Sequence, residues 1–133
     1  MASYLLDTNT CIALMRGYPK TVQRMAAVPP GECAISTITA YELFTGVEKC
    51  SQPAQERAKV GLLLQTVHEI AFESAAAKES ARIRALLESQ GQPIGPYDLL
   101  LAGQALAGAM TLVTANTREF SRVPGLKLED WQT

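Results

Sequence analysis

One histidine and three cysteines are too few for the chemistry those residues usually carry. Cys11, Cys33 and Cys50 are an odd set without a Cys-x-x-Cys pair, which argues against a disulfide framework and a thiolate zinc site. His68, in Thr66-Val67-His68-Glu69, adds a single nitrogen ligand, so zinc is disfavoured. It is also the only partner available to a serine or cysteine triad, and no Gly-x-Ser-x-Gly elbow exists. Neither a Gly-x-Gly-x-x-Gly loop nor a P-loop is present, so nucleotide-cofactor chemistry has no support. A charge excess is lacking as well. Twelve Lys and Arg stand against thirteen Asp and Glu, for a net charge of -1. Any nucleic-acid contact must therefore come from a local patch rather than a global basic field. The longest apolar run, Leu99 to Met110, is interrupted by Gln104 and is too short to span a bilayer. Met1-Ala2-Ser3-Tyr4 lacks the positive start and apolar core of a signal peptide. These absences point to a cytoplasmic protein with no membrane partner.

What is present suits a globular fold. Over 133 residues, 47% are hydrophobic and 19% charged, which fits one domain, residues 1–133, with a single core. Short apolar runs predict strands at Ser3–Leu6, Cys33–Ile35, Val67–Ile70 and Thr111–Val113, and a last one at Lys127–Glu129. Between them, helical spacing predicts helices over Thr10–Arg16, Lys20–Ala27, Thr37–Lys49, Pro53–Gln65 and Ala75–Ser89. A further helix starts at Pro96 and is apolar nearly all round, which marks it as central. Thr117–Phe120 reads as a short helical turn, and Pro29-Pro30-Gly31 as a loop. Strands alternating with helices imply an α/β fold with a parallel sheet covered on both faces.

Three acids break the apolar pattern. Asp7 ends Tyr4-Leu5-Leu6, Glu42 lies within Ala40-Tyr41-Glu42-Leu43-Phe44, and Asp98 opens Asp98-Leu99-Leu100-Leu101-Ala102. A carboxylate in such surroundings is partly buried, and a buried unpaired charge is costly. Each has a plain structural reading. Asp7 can cap the helix after the first strand, Thr39-x-x-Glu42 fits a capping box, and Asp98 falls near the third position of the Pro96 helix, where negative charge suits the dipole. In a parallel sheet, however, helices that follow strands begin at one edge, where ligands bind. Asn116, after the strand Thr111–Val113, joins that rim. Positions 98, 102, 105 and 109 share a helical face, and the last three are alanine, which would let another element approach closely.

Clustered carboxylates cannot all stay ionised without a counter-charge. Mg²⁺ or Mn²⁺, which prefer oxygen ligands and keep several waters, would supply it. Such a centre suits phosphodiester hydrolysis: it polarises the phosphoryl oxygen, lowers the pKa of a bound water and neutralises developing charge. A carboxylate not fully engaged with the ion can take the water's proton.

The order of short motifs resembles that of the PIN-domain family, and closely the VapC-type toxins of bacterial toxin–antitoxin modules. The matching pieces are Tyr4-Leu5-Leu6-Asp7-Thr8-Asn9, Ile35-Ser36 with Tyr41-Glu42-Leu43, Gly91 through Ala102, and Leu112 through Phe120. Val123-Pro124-Gly125-Leu126 and Glu129-Asp130-Trp131 complete them. Each is weak alone; together, in order, they span nearly the whole chain. The resemblance implies a PIN-like three-layer α/β/α sandwich with a short central parallel sheet. It implies Mg²⁺- or Mn²⁺-dependent endoribonuclease activity, with Asp7, Glu42 and Asp98 at the acidic metal positions and Asn116 at a fourth, often Asp. The neutral Asn116 favours one firmly held ion over two. Thr8 and Thr114 match polar positions nearby. The resemblance further implies an RNA substrate such as transfer RNA, growth arrest, a homodimer, and a VapB-type antitoxin that blocks the site and helps bind operator DNA.

To hold a polyanion, the chain offers Lys78, Arg82 and Arg84 on one helix and Arg118 and Arg122 near the acidic rim, with Arg118 the foremost candidate for a phosphate contact. Two other readings remain. Asp7-Thr8-Asn9-Thr10 resembles the opening motif of haloacid-dehalogenase-like phosphatases, although Asn9 stands where a second Asp is needed. Alternatively, the acids only cap helices in a non-catalytic binding module.

Overall fold

The computed structural model describes residues 2–29 and 31–133. Met1, which opens the segment read above for a leader, and Pro30, the middle of the expected loop, lie outside the described residues. Five strands form one sheet: β1 (Tyr4–Leu6), β2 (Cys33–Ser36), β3 (His68–Ile70), β4 (Thr111–Val113) and β5 (Leu128–Glu129). Their order is β3-β2-β1-β4-β5, and every pairing is parallel. The helices are α1 (Thr8–Met15), α2 (Pro19–Ala26), α3 (Thr37–Lys49), α4 (Pro53–Thr66), α5 (Ser74–Ser89), α6 (Pro96–Ala107) and the single turn α7 (Thr117–Phe120).

Alternation along the strands produces the three layers. Leu6, Ile35 and Val113 point to one face, where Cys11, Leu43, Val47, Val60 and Trp131 pack on them. Leu5, Ala34 and Leu112 point to the other, against Ile83, Leu87, Leu101, Ala105 and Phe120. Strands buried on both sides read as short apolar runs, as a covered parallel sheet requires. Burying each such leucine stabilises the fold by about 2 kcal/mol. Helix starts follow local chemistry: Pro19, Pro53 and Pro96 occupy first turns, where a missing N–H costs nothing.

The structure corrects three local expectations. Helix α1 starts at Thr8, two residues earlier than Thr10, because Asp7 itself caps it and accepts from the Thr10 backbone N–H at 2.8 Å. The capping box at Thr39 and Glu42 does not form. Ser36 is the N-cap of α3 and its hydroxyl accepts from the Ile38 N–H, while the Thr39 hydroxyl is buried without a hydrogen-bond partner. Glu42 therefore lies in the second turn, free of capping duty. The alanine face of α6 stops short of Ala109, which follows the helix in a left-handed conformation (φ 53°) and is exposed.

The close approach expected along α6 does occur, but at Gly103. A Cβ there would sit 1.9 Å from Ser80 Oγ, 2.7 Å from Ser80 N and 2.8 Å from Ser80 Cα. Since two of those atoms are backbone, α5 would have to move away. Gly103→Ala is thus expected to destabilise the protein by about 1–3 kcal/mol despite alanine's better helix propensity. Gly61→Ala, in open space on α4, should be neutral or stabilising by up to about 1 kcal/mol. Denaturant midpoints for the two variants check both the sign and the contrast.

Candidate active site

The strand order reverses between β1 and β4, so the carboxyl end of β1 is the switch point at which open parallel sheets bind ligands. Asp7 sits there. It is 6% exposed, its backbone N–H donates to the Val113 carbonyl at 3.0 Å, and its Oδ1 is taken up by the Thr10 N–H. The α1 dipole adds modest compensation for the buried charge, and no hydrogen bond to Oδ2 is made among the described residues.

Glu42 comes from α3 and is tied to α1 by the Thr8 hydroxyl, which donates to Glu42 Oε1 at 2.7 Å. Thr8 is thereby a bridge between two acid-bearing helices. Asp98 lies at the third position of α6, as its distance from Pro96 requires. Its pKa is pushed up to about 6, first by partial burial and then by the negative charges of Glu119, Asp7 and Glu42. Four carboxylates from four different helix starts or turns thus act on one another at one edge of the sheet.

Glu119 is the member that sequence reasoning missed. Its Oε1 accepts from the Gly95 N–H and its Oε2 from Asn116 Nδ2, each at 3.0 Å. Those bonds, that of Asn116 foremost, hold its pKa below the usual range, so it stays ionised. The available signal was spacing: Asn116 and Glu119 are three apart, one helical turn, and therefore on one face. Asn116 is exposed and serves Glu119, while its own N–H is received by the Thr114 hydroxyl at 3.0 Å. Thr114 is fully buried at the end of β4 and so fixes where α7 begins.

The donors on this edge are carboxylates, with an amide and hydroxyls behind them. Burial foremost raises the thiols of Cys11 and Cys33, that of Cys33 to about 11 and that of Cys11 beyond it. His68 is exposed on β3, the sheet's outer strand. Among the described residues, no three acid, histidine or cysteine side chains close into a ready-made cation cage. An open carboxylate edge of this kind suits a hard ion that keeps several waters.

The candidate cations divide sharply. Arg82 and Arg84 pair along α5 with Glu79 and Glu88, at 2.8 and 2.7 Å. Arg122 donates to the Pro93 carbonyl at 3.1 Å, pinning the loop before α6 to α7. Lys78 is exposed on α5, and Arg118 is exposed on α7 without an ion pair among the described residues. A groove of about 430 Å³ leads from Glu42 past Arg16, Gln52, Gln55 and Lys59.

Residues 4–126 match the family model of the PIN domain. The tRNA(fMet)-specific endonuclease VapC of Shigella flexneri is 38% identical over 98% of this chain and 99% of its own length. Among solved structures, DNA-bound VapBC from Salmonella typhimurium superposes with a TM-score of 0.93 at 37% identity, covering 98% of this chain and 99% of that one. VapBC2 from Rickettsia felis, bound to a promoter DNA fragment, gives 0.90 at 34% identity, over 96% and 98% of the two chains. Asp7, Glu42 and Asp98 sit on the edge where such folds bind ligands, and the likeness runs nearly end to end: the chain belongs to the PIN-domain family, among its VapC-type members.

Proposed function

We propose that this protein is a Mg²⁺- or Mn²⁺-dependent endoribonuclease, the toxin of a toxin–antitoxin pair, cutting transfer RNA or another structured RNA. The observation that carries the reading is the gathering of carboxylates at the end of β1, where partial burial first and then repulsion from Glu119, Asp7 and Glu42 push the Asp98 pKa up to about 6. A fold does not sustain that repulsion for stability's sake, and a hard cation would relieve it. Asp7, Asp98 and Glu42 would hold the ion. When bound, it would supply phosphoryl polarisation, a more acidic water and charge neutralisation.

The chain's own residues do the remainder. Asp7 presents Oδ2 because the Thr10 N–H occupies Oδ1. Glu42, with Oε1 held by Thr8, lines the groove and can accept the attacking water's proton through Oε2. Glu119 keeps its negative charge and holds the Gly95 turn from which Asp98 projects. Arg118 is free to meet a phosphate.

The relatives' names support the finer points. The Shigella flexneri relative is named for tRNA(fMet), and the two solved complexes contain VapBC with DNA. On that basis the partner is a VapB-type antitoxin, with operator DNA bound only through it. We place the active form in the cytoplasm as a homodimer, and its effect is growth arrest. The phosphatase alternative gains no support, since Asn9 is exposed and the second Asp of that motif is absent.

Purified protein should cut RNA with Mg²⁺ or Mn²⁺ and stop when chelator is added. Asp7→Asn and Asp98→Asn should each lower the cleavage rate by about 10²-fold or more with the fold intact by circular dichroism. Wild-type rates in both variants would overturn the carboxylate mechanism. Turnover of a phosphate monoester without RNA cleavage would favour the phosphatase instead. Induced expression should arrest bacterial growth, and Asp7→Asn should not.

A second expectation concerns stability without metal. Asp98 binds its proton more tightly folded than unfolded, so its contribution is favourable at low pH and is lost as pH rises through about 6. Asp98→Asn, neutral throughout, should raise the melting temperature of chelator-treated protein at about pH 7.5 and change it little at about pH 4. An unchanged melting temperature at the higher pH would show that the repulsion is not felt.

A further inference from the structure

Two exposed tyrosines bridge the mouth of this site. Tyr41, 54% exposed, precedes Glu42 on α3, and Tyr97, 41% exposed, precedes Asp98 on α6. Their rings meet edge to face, with centroids 5.7 Å apart and an interplanar angle of 61°. The Tyr97 hydroxyl donates to that of Tyr41 at 3.3 Å. The contact raises the Tyr97 pKa, and the charge of Glu42 adds to the effect, which places the pair beside the carboxylates. An edge-to-face pair covers one face of one ring, where a parallel stack would cover one face of each.

We propose that Tyr41 and Tyr97 form a stacking platform for an unpaired base next to the scissile phosphate, and so position single-stranded RNA over the acids. The reading rests on the ribonuclease function above. Its physical reason is charge. The chain carries a net charge of -1, and its site is a cluster of acids that repels phosphate. Lys59 is paired with Glu56, and Arg82 and Arg84 with acids of their own helix, which withdraws those three from holding the backbone. Base stacking supplies affinity without charge, and it is the usual way for proteins to hold unpaired nucleotides. A platform one residue away from two site acids fixes the base and the adjacent phosphate together, a gain in orientation as well as affinity. Phe44 is also exposed, one turn along α3, but the hollow it shares with Tyr41 is flanked by Glu48 and Glu69, which would repel RNA. The platform therefore ends at Tyr41.

The test uses full-length protein carrying Asp7→Asn, with Mg²⁺, and a single-stranded RNA oligonucleotide containing 2-aminopurine. Tyr41→Leu and Tyr97→Leu should each weaken binding about tenfold or more and abolish the stacking quench. Tyr41→Phe and Tyr97→Phe should restore both. An abasic position at the stacked nucleotide should reproduce the loss, with no further loss from the leucine variants. In the otherwise wild-type enzyme, the leucine variants should raise KM more than they lower kcat. Leucine variants that bind RNA within twofold of the parent would overturn the platform. So would equal weakening by Phe44→Ser together with a dimer-to-monomer shift in light scattering, which would make the rings a contact between copies. An enzyme with intact tyrosines that cuts no RNA would instead sink the ribonuclease reading, and this proposal with it.

Discussion

Repulsion between carboxylates at the end of β1 is the constraint to which the rest of the structure answers. Each acid is quietened by a different device. Asp7 gives one oxygen to a helix N–H, Glu42 takes a threonine hydroxyl, and Glu119 takes a backbone N–H and an asparagine amide. Asp98 receives no such donor among the described residues, and its pKa is raised first by burial and then by the negative charges of Glu119, Asp7 and Glu42.

The scaffold around Asp98 is correspondingly stiff. Helix α6 is pressed against α5 so closely that Gly103 has no room for a methyl group beside Ser80. The loop before α6 is held twice, by Glu119 of α7 at the Gly95 N–H and by Arg122, just after α7, at the Pro93 carbonyl. Helix α7 is itself placed by Thr114 at the end of β4. At the far end, Trp131 is buried against Tyr4 with centroids 5.4 Å apart, and donates to Glu129, which also meets Arg24. The edge strand β5 is thus locked to the first helical layer. These ties hold a destabilising set of charges in place, as a preformed ligand site must.

Much of this was legible in the residues. Apolar runs and helical spacing located all five strands and all seven helices among the described residues to within one or two positions at nearly every boundary, because both periodicities are local. The order of the elements implied a parallel sheet and so a shared edge for Asp7 and Glu42, whereas Asp98 enters its helix after a loop and not directly after a strand. The motif order pointed to the PIN-domain family. The misreadings share one cause. Assigning Thr39 as a cap, carrying the alanine face of α6 to Ala109 and passing over Glu119 all depend on which of several equivalent local partners the packed chain selects.

Sequence by itself determined which residues are acids in apolar surroundings and which segments form strands or helices. Those properties are carried by residue type and spacing, so they survive without coordinates. Only the tertiary structure decided that Asn116 serves Glu119, that Thr8 joins α1 to α3, that closest packing falls at Gly103, and that Tyr41 and Tyr97 meet. Each of these joins segments brought together by the crossovers of the sheet or settles a choice among neighbours. Contacts of that kind are set by the register and angle of packed layers, which no local pattern encodes.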